Sequence, residues 1–71
     1  MSETRGTVMQ FVSHCCGMAG AVGTQSSYVT AKEWRDFCSK NSDIYFSWGR
    51  LFRVHAEDSA GGMVRIYTRW A

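Results

Sequence analysis

From Asp43 to the C-terminus the chain alternates between apolar and polar residues, and a period of two restricts this half to strands with one face buried. In the closing stretch, Met63 to Ala71, Val64, Ile66 and Trp70 alternate with Arg65, Tyr67 and Arg69. In the stretch before it, Ile44, Phe46 and Trp48 share a parity that Phe52 and Val54 continue. Tyr45, Ser47, Leu51, Arg53 and His55 take the other parity. Gly49-Arg50 interrupts the pattern as a bulge or bend would. A turn containing Glu57, Asp58, Ser59, Gly61 and Gly62 separates the two stretches, so they are expected to pair as an antiparallel hairpin.

The clearest local signal is Thr30-Ala31-Lys32-Glu33, which has the form of a capping box. Thr30 would accept from a first-turn amide, and Glu33 would reach back to the Thr30 amide. The helix it opens, from Ala31 to about Lys40, collects Ala31, Trp34, Phe37 and Cys38 on one face at helical spacing. Lys32, Glu33, Arg35, Asp36, Ser39 and Lys40 take the other face, with Lys32 and Asp36, and Asp36 and Lys40, spaced for weak ion pairs. Asn41 is expected to end the helix in a left-handed conformation. About ten residues make too short a helix to stand alone, so Trp34 and Phe37 must dock it on a sheet.

Upstream, Thr7 to Cys16 alternates loosely and is rich in Val, Phe and Thr, which suits a strand. Gly17 to Ser27 carries three glycines and three small hydroxyl residues and reads as a mobile connection, the broad tip of a hairpin that Tyr28 and Val29 would close. The predicted architecture is therefore a small α+β domain of order ββαββ, with one helix packed on one face of an antiparallel sheet. At 71 residues the chain makes one domain, with residues 1–6 expected to be a flexible N-terminus. A core of this size supplies roughly 3–5 kcal/mol at most, so self-association or a partner would add useful stability.

Several function classes are disfavoured. The formal net charge of +2 is far from the basic balance of a dedicated duplex-binding domain. Gly6 to Ala31 has no charged residue, yet its glycines, hydroxyls, Gln10, His14 and Gln25 argue against a membrane span. No secretory signal pattern opens the sequence, and three cysteines are an odd number, so a cytoplasmic chain with reduced thiols is expected. His14, Cys15, Cys16, Cys38 and His55 are residue types that zinc accepts. Without a C-x-x-C pair, and with neighbours on a strand pointing to opposite faces, no metal site is expected. No catalytic motif organises the thiols with a histidine, and Gly17 to Gly23 matches no phosphate-binding pattern, so neither enzyme activity nor a cofactor is expected.

What remains is the basic C-terminal half. Arg50, Arg53, Arg65 and Arg69 face only Glu57 and Asp58 in sequence. With Val64, Ile66 and Trp70 under the helix, Arg65, Tyr67 and Arg69 should project outward beside Arg53, His55 and Tyr45. Arg53, Arg65, Tyr67, Arg69 and Tyr45 are thus the candidate contact residues, with the Gly17 to Gly23 loop as a secondary element. Arginine and tyrosine are enriched at protein-interface hot spots, and they can also stack bases and meet phosphates. Four arginines and no lysine offer few phosphate contacts. A protein partner is ranked first, in the concrete form of a phage or mobile-element inhibitor that occupies a surface of a larger complex. Single-stranded nucleic acid is the alternative. Trp48 and Trp70 are either core or the seal of a homodimer through a sheet edge.

Overall fold

The alternating C-terminal half builds most of a four-stranded antiparallel sheet in the computed structural model, which describes residues 6–71. The expected flexible segment, residues 1–6, lies outside the described residues except for Gly6. Along the chain come α1 (Thr7–Gly17), β1 (Ser26–Thr30), α2 (Ala31–Lys40), β2 (Ile44–Ser47), β3 (Arg50–Asp58) and β4 (Met63–Trp70). In space the strands run β1-β4-β3-β2, so β1 and β2 are the edges. Both helices lie on one side, which makes a two-layer α+β domain. The fold class is the predicted one, but the order is αβαβββ rather than ββαββ, with two helices instead of one.

Two departures explain the difference. The stretch from Thr7 to Cys16 is helical, and its core contacts, Val8, Phe11, Val12 and Cys15, recur at i, i+3, i+4 and i+7. Its Val and Phe content imitates a strand, but burial follows the helical period. The second departure is at Trp48-Gly49, which is the tip of a hairpin and not a bulge: Ser47 pairs with Arg50, and both tip residues have positive φ, 55° and 77°. The residues 43–56 are therefore two strands. The two-residue turn also reverses parity, so Tyr45 and Ser47 share the covered face with Phe52 and Val54, while Ile44 and Phe46 lie on the opposite face with Leu51 and Arg53.

The connection from Gly17 to Ser27 is not a hairpin tip either. A short 3₁₀ turn, Ala19–Ala21, plugs Ala21 and Val22 into the core, and β1 pairs with β4 rather than with the preceding segment. Gly23, at φ 82°, donates its N–H to the Thr68 hydroxyl at 3.3 Å, anchoring the end of this segment to the sheet.

The capping box forms as read. Thr30 Oγ1 accepts the Glu33 N–H at 3.0 Å, and Glu33 Oε1 accepts the Thr30 N–H at 3.1 Å. Glu33 goes further: its Oε2 accepts the Thr7 hydroxyl at 3.0 Å and the Thr7 N–H at 3.4 Å, so one carboxylate joins the N-termini of both helices. These hydrogen bonds, that from the Thr30 amide foremost, hold its carboxyl below the ordinary range. At the far end Asn41 is extended, at φ −134°, and not left-handed, and Cys38 is exposed rather than packed.

The core lies between the helices and the covered sheet face, where Val8, Phe11, Val12, Cys15 and Phe37 meet Val29, Phe52, Val54, Val64 and Ile66. A ladder of rings, Trp34, Phe37, Tyr45, Phe52 and Trp70, runs through it with centroids 5.6 to 6.2 Å apart. Two polar groups are buried and bonded. The Ser47 hydroxyl donates to the Cys15 carbonyl at 3.0 Å, closing the end of α1, and Thr68 accepts Gly23 beside the Cys15 thiol.

Candidate functional site

Among the described residues no helix covers the second face of the sheet, and the strand register decides which side chains reach it. Starting from β4, Met63, Arg65, Tyr67 and Arg69 stand opposite the buried Val64, Ile66 and Thr68. The pairing Arg53↔Arg69, His55↔Tyr67 and Glu57↔Arg65 adds the outward residues of β3. Ile44↔Arg53 and Phe46↔Leu51 extend the face to β2, and Ser26↔Tyr67 and Tyr28↔Arg65 extend it to β1. Four of the five predicted contact residues, Arg53, Arg65, Tyr67 and Arg69, are thus brought together on one open surface.

Tyr45 is the exception and a correction. The reversed parity turns it under α2, with its ring between Phe37 and Phe52. Its hydroxyl oxygen is buried without a hydrogen-bond partner among the described residues. Burial, with Asp43 second and the Cys16 and Cys38 thiols adding to it, pushes its phenol up to about 12. Tyr45 is a half-buried ring packed against the core on the covered side, away from the open face that carries the other four.

The electrostatics of the face are more balanced than the arginine count suggests. Arg53 Nη1 lies 3.2 Å from an Asp43 carboxylate oxygen, and Arg65 Nη1 lies 3.2 Å from Glu57 Oε2. Arg69 has no ion pair among the described residues and is exposed. It stands directly across from Arg53, which sets two like charges side by side. Such a pair opposes folding on its own account. Tyr67 is already engaged: the Arg65 guanidinium sits 4.9 Å from its ring centre and the His55 ring stacks on it at 5.5 Å. Arg50, predicted as part of the basic half, leaves this face and covers Trp70 at 4.5 Å.

Beside Arg65 and Arg69 the sheet is notched, because β1 begins only at Ser26, opposite Tyr67, while β4 runs on to Trp70. Thr24, Gln25 and Ser26 line this shallow notch of about 590 Å³ together with Arg65, Tyr67 and Arg69. The segment from Gly17 to Gly23 contributes only Gly23 to it.

Phe46, Leu51, Ile44 and Trp48 are exposed at the β2–β3 end, where a simple continuation of parity puts Ile44 and Phe46 on the buried side; of the two alternatives for Trp48, core or the seal of a homodimer, exposure excludes the core. The signal that could have found them is the Trp-Gly pair read as a two-residue turn. Elsewhere, burial pushes the Cys15 and Cys16 thiols up, which keeps them in the unreactive protonated form. Among the described residues no three His, Cys, Asp or Glu side chains are grouped to hold a metal, and no helix is long and apolar enough to cross a membrane. Comparison with protein-family models, with curated proteins and with solved structures finds no match to this chain.

Proposed function

We propose that the open sheet face is a protein-docking surface whose partner presents a carboxylate to Arg53 and Arg69, and that the chain acts without catalysis, by occupying a surface of a larger assembly. The observation that carries this reading is the Arg53–Arg69 pair. The two arginines are register partners across β3 and β4, and of the two only Arg53 has a carboxylate of its own among the described residues. An acidic side chain seated between them, or in the notch beside Arg69, relieves that repulsion and gains bidentate geometry. The interleaved arginine and tyrosine are of the types that anchor protein interfaces.

Two features rank a nucleic-acid strand lower. Asp43 and Glu57 lie among Arg53, Arg65 and Arg69, so the face carries one net positive charge, three against two, where a polyanion needs several. The Tyr67 ring, on which a base would stack, already holds Arg65 and His55.

The test compares the wild-type chain with the Arg65→Ala/Arg69→Ala variant in two assays. In quantitative crosslinking from nuclease-treated lysate, the expected result is a defined protein captured by the wild type and lost with the variant, while both remain folded by circular dichroism. In titration with fluorescent single-stranded oligonucleotides, little binding is expected at physiological salt. Tight, steeply salt-dependent oligonucleotide binding that the variant loses would replace this reading with a nucleic-acid module.

A further inference from the structure

The β2 edge and its tip remain outside the arginine surface, and three observations converge there. The strand Ile44-Tyr45-Phe46-Ser47 carries no charge, proline or bulge, the devices that usually protect a sheet edge. In a two-residue hairpin the pair flanking the turn, Ser47 and Arg50, exchanges hydrogen bonds, and so does Tyr45 with Phe52. The backbone N–H and C=O groups of Ile44 and Phe46 therefore point away from β3. Of these groups only the Ile44 N–H has a partner among the described residues, the Ser42 hydroxyl at 3.1 Å.

The second observation is apolar exposure. Phe46 is 68% exposed, Trp48 73%, Leu51 42% and Ile44 37%. At roughly 200 Å² for a large side chain, this patch leaves on the order of 450 Å² of apolar surface per chain. The third is strain. Trp48 adopts φ 55°, a conformation that costs a non-glycine residue on the order of 1 kcal/mol, although most of the residue is exposed to solvent. Glycine or asparagine suits that turn position better.

We infer that β2 is a self-association edge, and that its occupant is the β2 strand of a second copy of this chain, paired antiparallel about a two-fold axis at Tyr45. In that register Ile44 of each copy faces Phe46 of the other, and each such pair exchanges two backbone hydrogen bonds, with the Ile44 amide leaving the Ser42 hydroxyl for a carbonyl. The open face then carries an unbroken row, Leu51, Phe46, then Ile44 and Arg53 of the second copy, and its symmetry mate. Apolar meets apolar without juxtaposing like charges. Ile44 and Phe46 of one copy pack against those of the other while Leu51 lies one strand in from the seam, so the contact is smaller than the roughly 1,000 Å² of a tight interface and the dimer is a weak one. The product is an eight-stranded sheet with all four helices on one side and both arginine surfaces on the other.

This inference stands apart from the docking role of Arg53 and Arg69, which the test leaves intact. The mass of the purified chain would be followed by sedimentation from micromolar to millimolar concentration, for the wild type and three variants. The wild type is expected to reach twice its chain mass. Phe46→Lys should weaken the dimer by about 30-fold or more, as a central anchor does. Trp48→Gly should weaken it while raising the melting temperature of the monomer, so that lost association cannot be ascribed to lost folding. A synthetic chain N-methylated at Phe46 keeps every side chain but loses the outward amide, and should remain monomeric. A wild type that stays monomeric throughout would overturn the inference. So would a dimer that survives N-methylation, since it would be held by stacked faces and not by paired edges.

Discussion

The two faces of the sheet are made by the same strands, yet they follow opposite rules. On the covered face Phe52, Val54, Val64 and Ile66 are buried under two helices, and even the polar groups there, Ser47 and Thr68, are hydrogen-bonded. On the open face, one residue away in each strand, two arginines oppose each other, Phe46 and Leu51 meet solvent, and Trp48 holds a strained backbone. The contrast teaches where selection for folding ends. Among the described residues the Tyr45 hydroxyl is the one buried side-chain polar group of the covered face without a partner, whereas the open face keeps features that cost stability, a cost that the proposed docking and self-association would offset.

Neighbouring residues in β3 give the strongest way to break this contrast. Phe52→Ala removes a fully buried ring and should cost about 3–5 kcal/mol, as much as a core of this size supplies, leaving the chain unfolded by circular dichroism. Leu51→Ala, on the open side, should change the unfolding free energy of a dilute sample in urea by no more than about 0.5 kcal/mol. Comparable losses from both would mean that the face described as open is packed.

The covering layer should be the acid-sensitive one. Among the described residues Glu33 is the only side chain bonded to the starts of both helices, and its carboxyl is held below the ordinary range, first by the Thr30 amide and then by Thr7. A depressed folded-state pKa contributes stability that is present above the unfolded-state value and is lost as pH falls through the folded one. Wild-type melting temperature is therefore expected to drop between neutral pH and about pH 3, and Glu33→Gln should melt lower at neutral pH with a shallower acid loss. An unchanged acid slope in the variant would assign the sensitivity to other carboxylates.

How much of this was legible in the sequence depends on whether the local signal had a competitor. The capping box did not, and Thr30 to Glu33 reads as it folds. The parity of β4 did not either, so the outward set Arg65, Tyr67 and Arg69 could be read directly. In α1, however, β-branched residues and a loose alternation compete with the spacing of Val8, Phe11, Val12 and Cys15, and Gly6 supplies no side-chain cap to tip the balance. At Trp48-Gly49 the first tip residue is one that turns seldom use. Reading a bulge there instead of a two-residue turn shifted every side chain from Ile44 to Ser47 to the wrong face. That single slip moved Tyr45 into the contact surface and hid Phe46.

Tyr45 supplies the smallest and most discriminating test of the comparison. It is the one place where the covered face leaves a polar atom unsatisfied: a buried hydroxyl without a partner among the described residues, on a phenol pushed up to about 12 chiefly by burial. A buried donor left unpaired has given up its water for nothing, so deleting it costs no hydrogen bond. Tyr45→Phe should keep the ring ladder with Phe37 and Phe52 and raise stability by up to about 1 kcal/mol in urea titration. Tyr67→Phe, on the open face, should leave stability unchanged within error, because its hydroxyl is not buried. If Tyr45→Phe instead loses stability, the hydroxyl has a partner in solution, and the one exception to a fully satisfied covered face disappears.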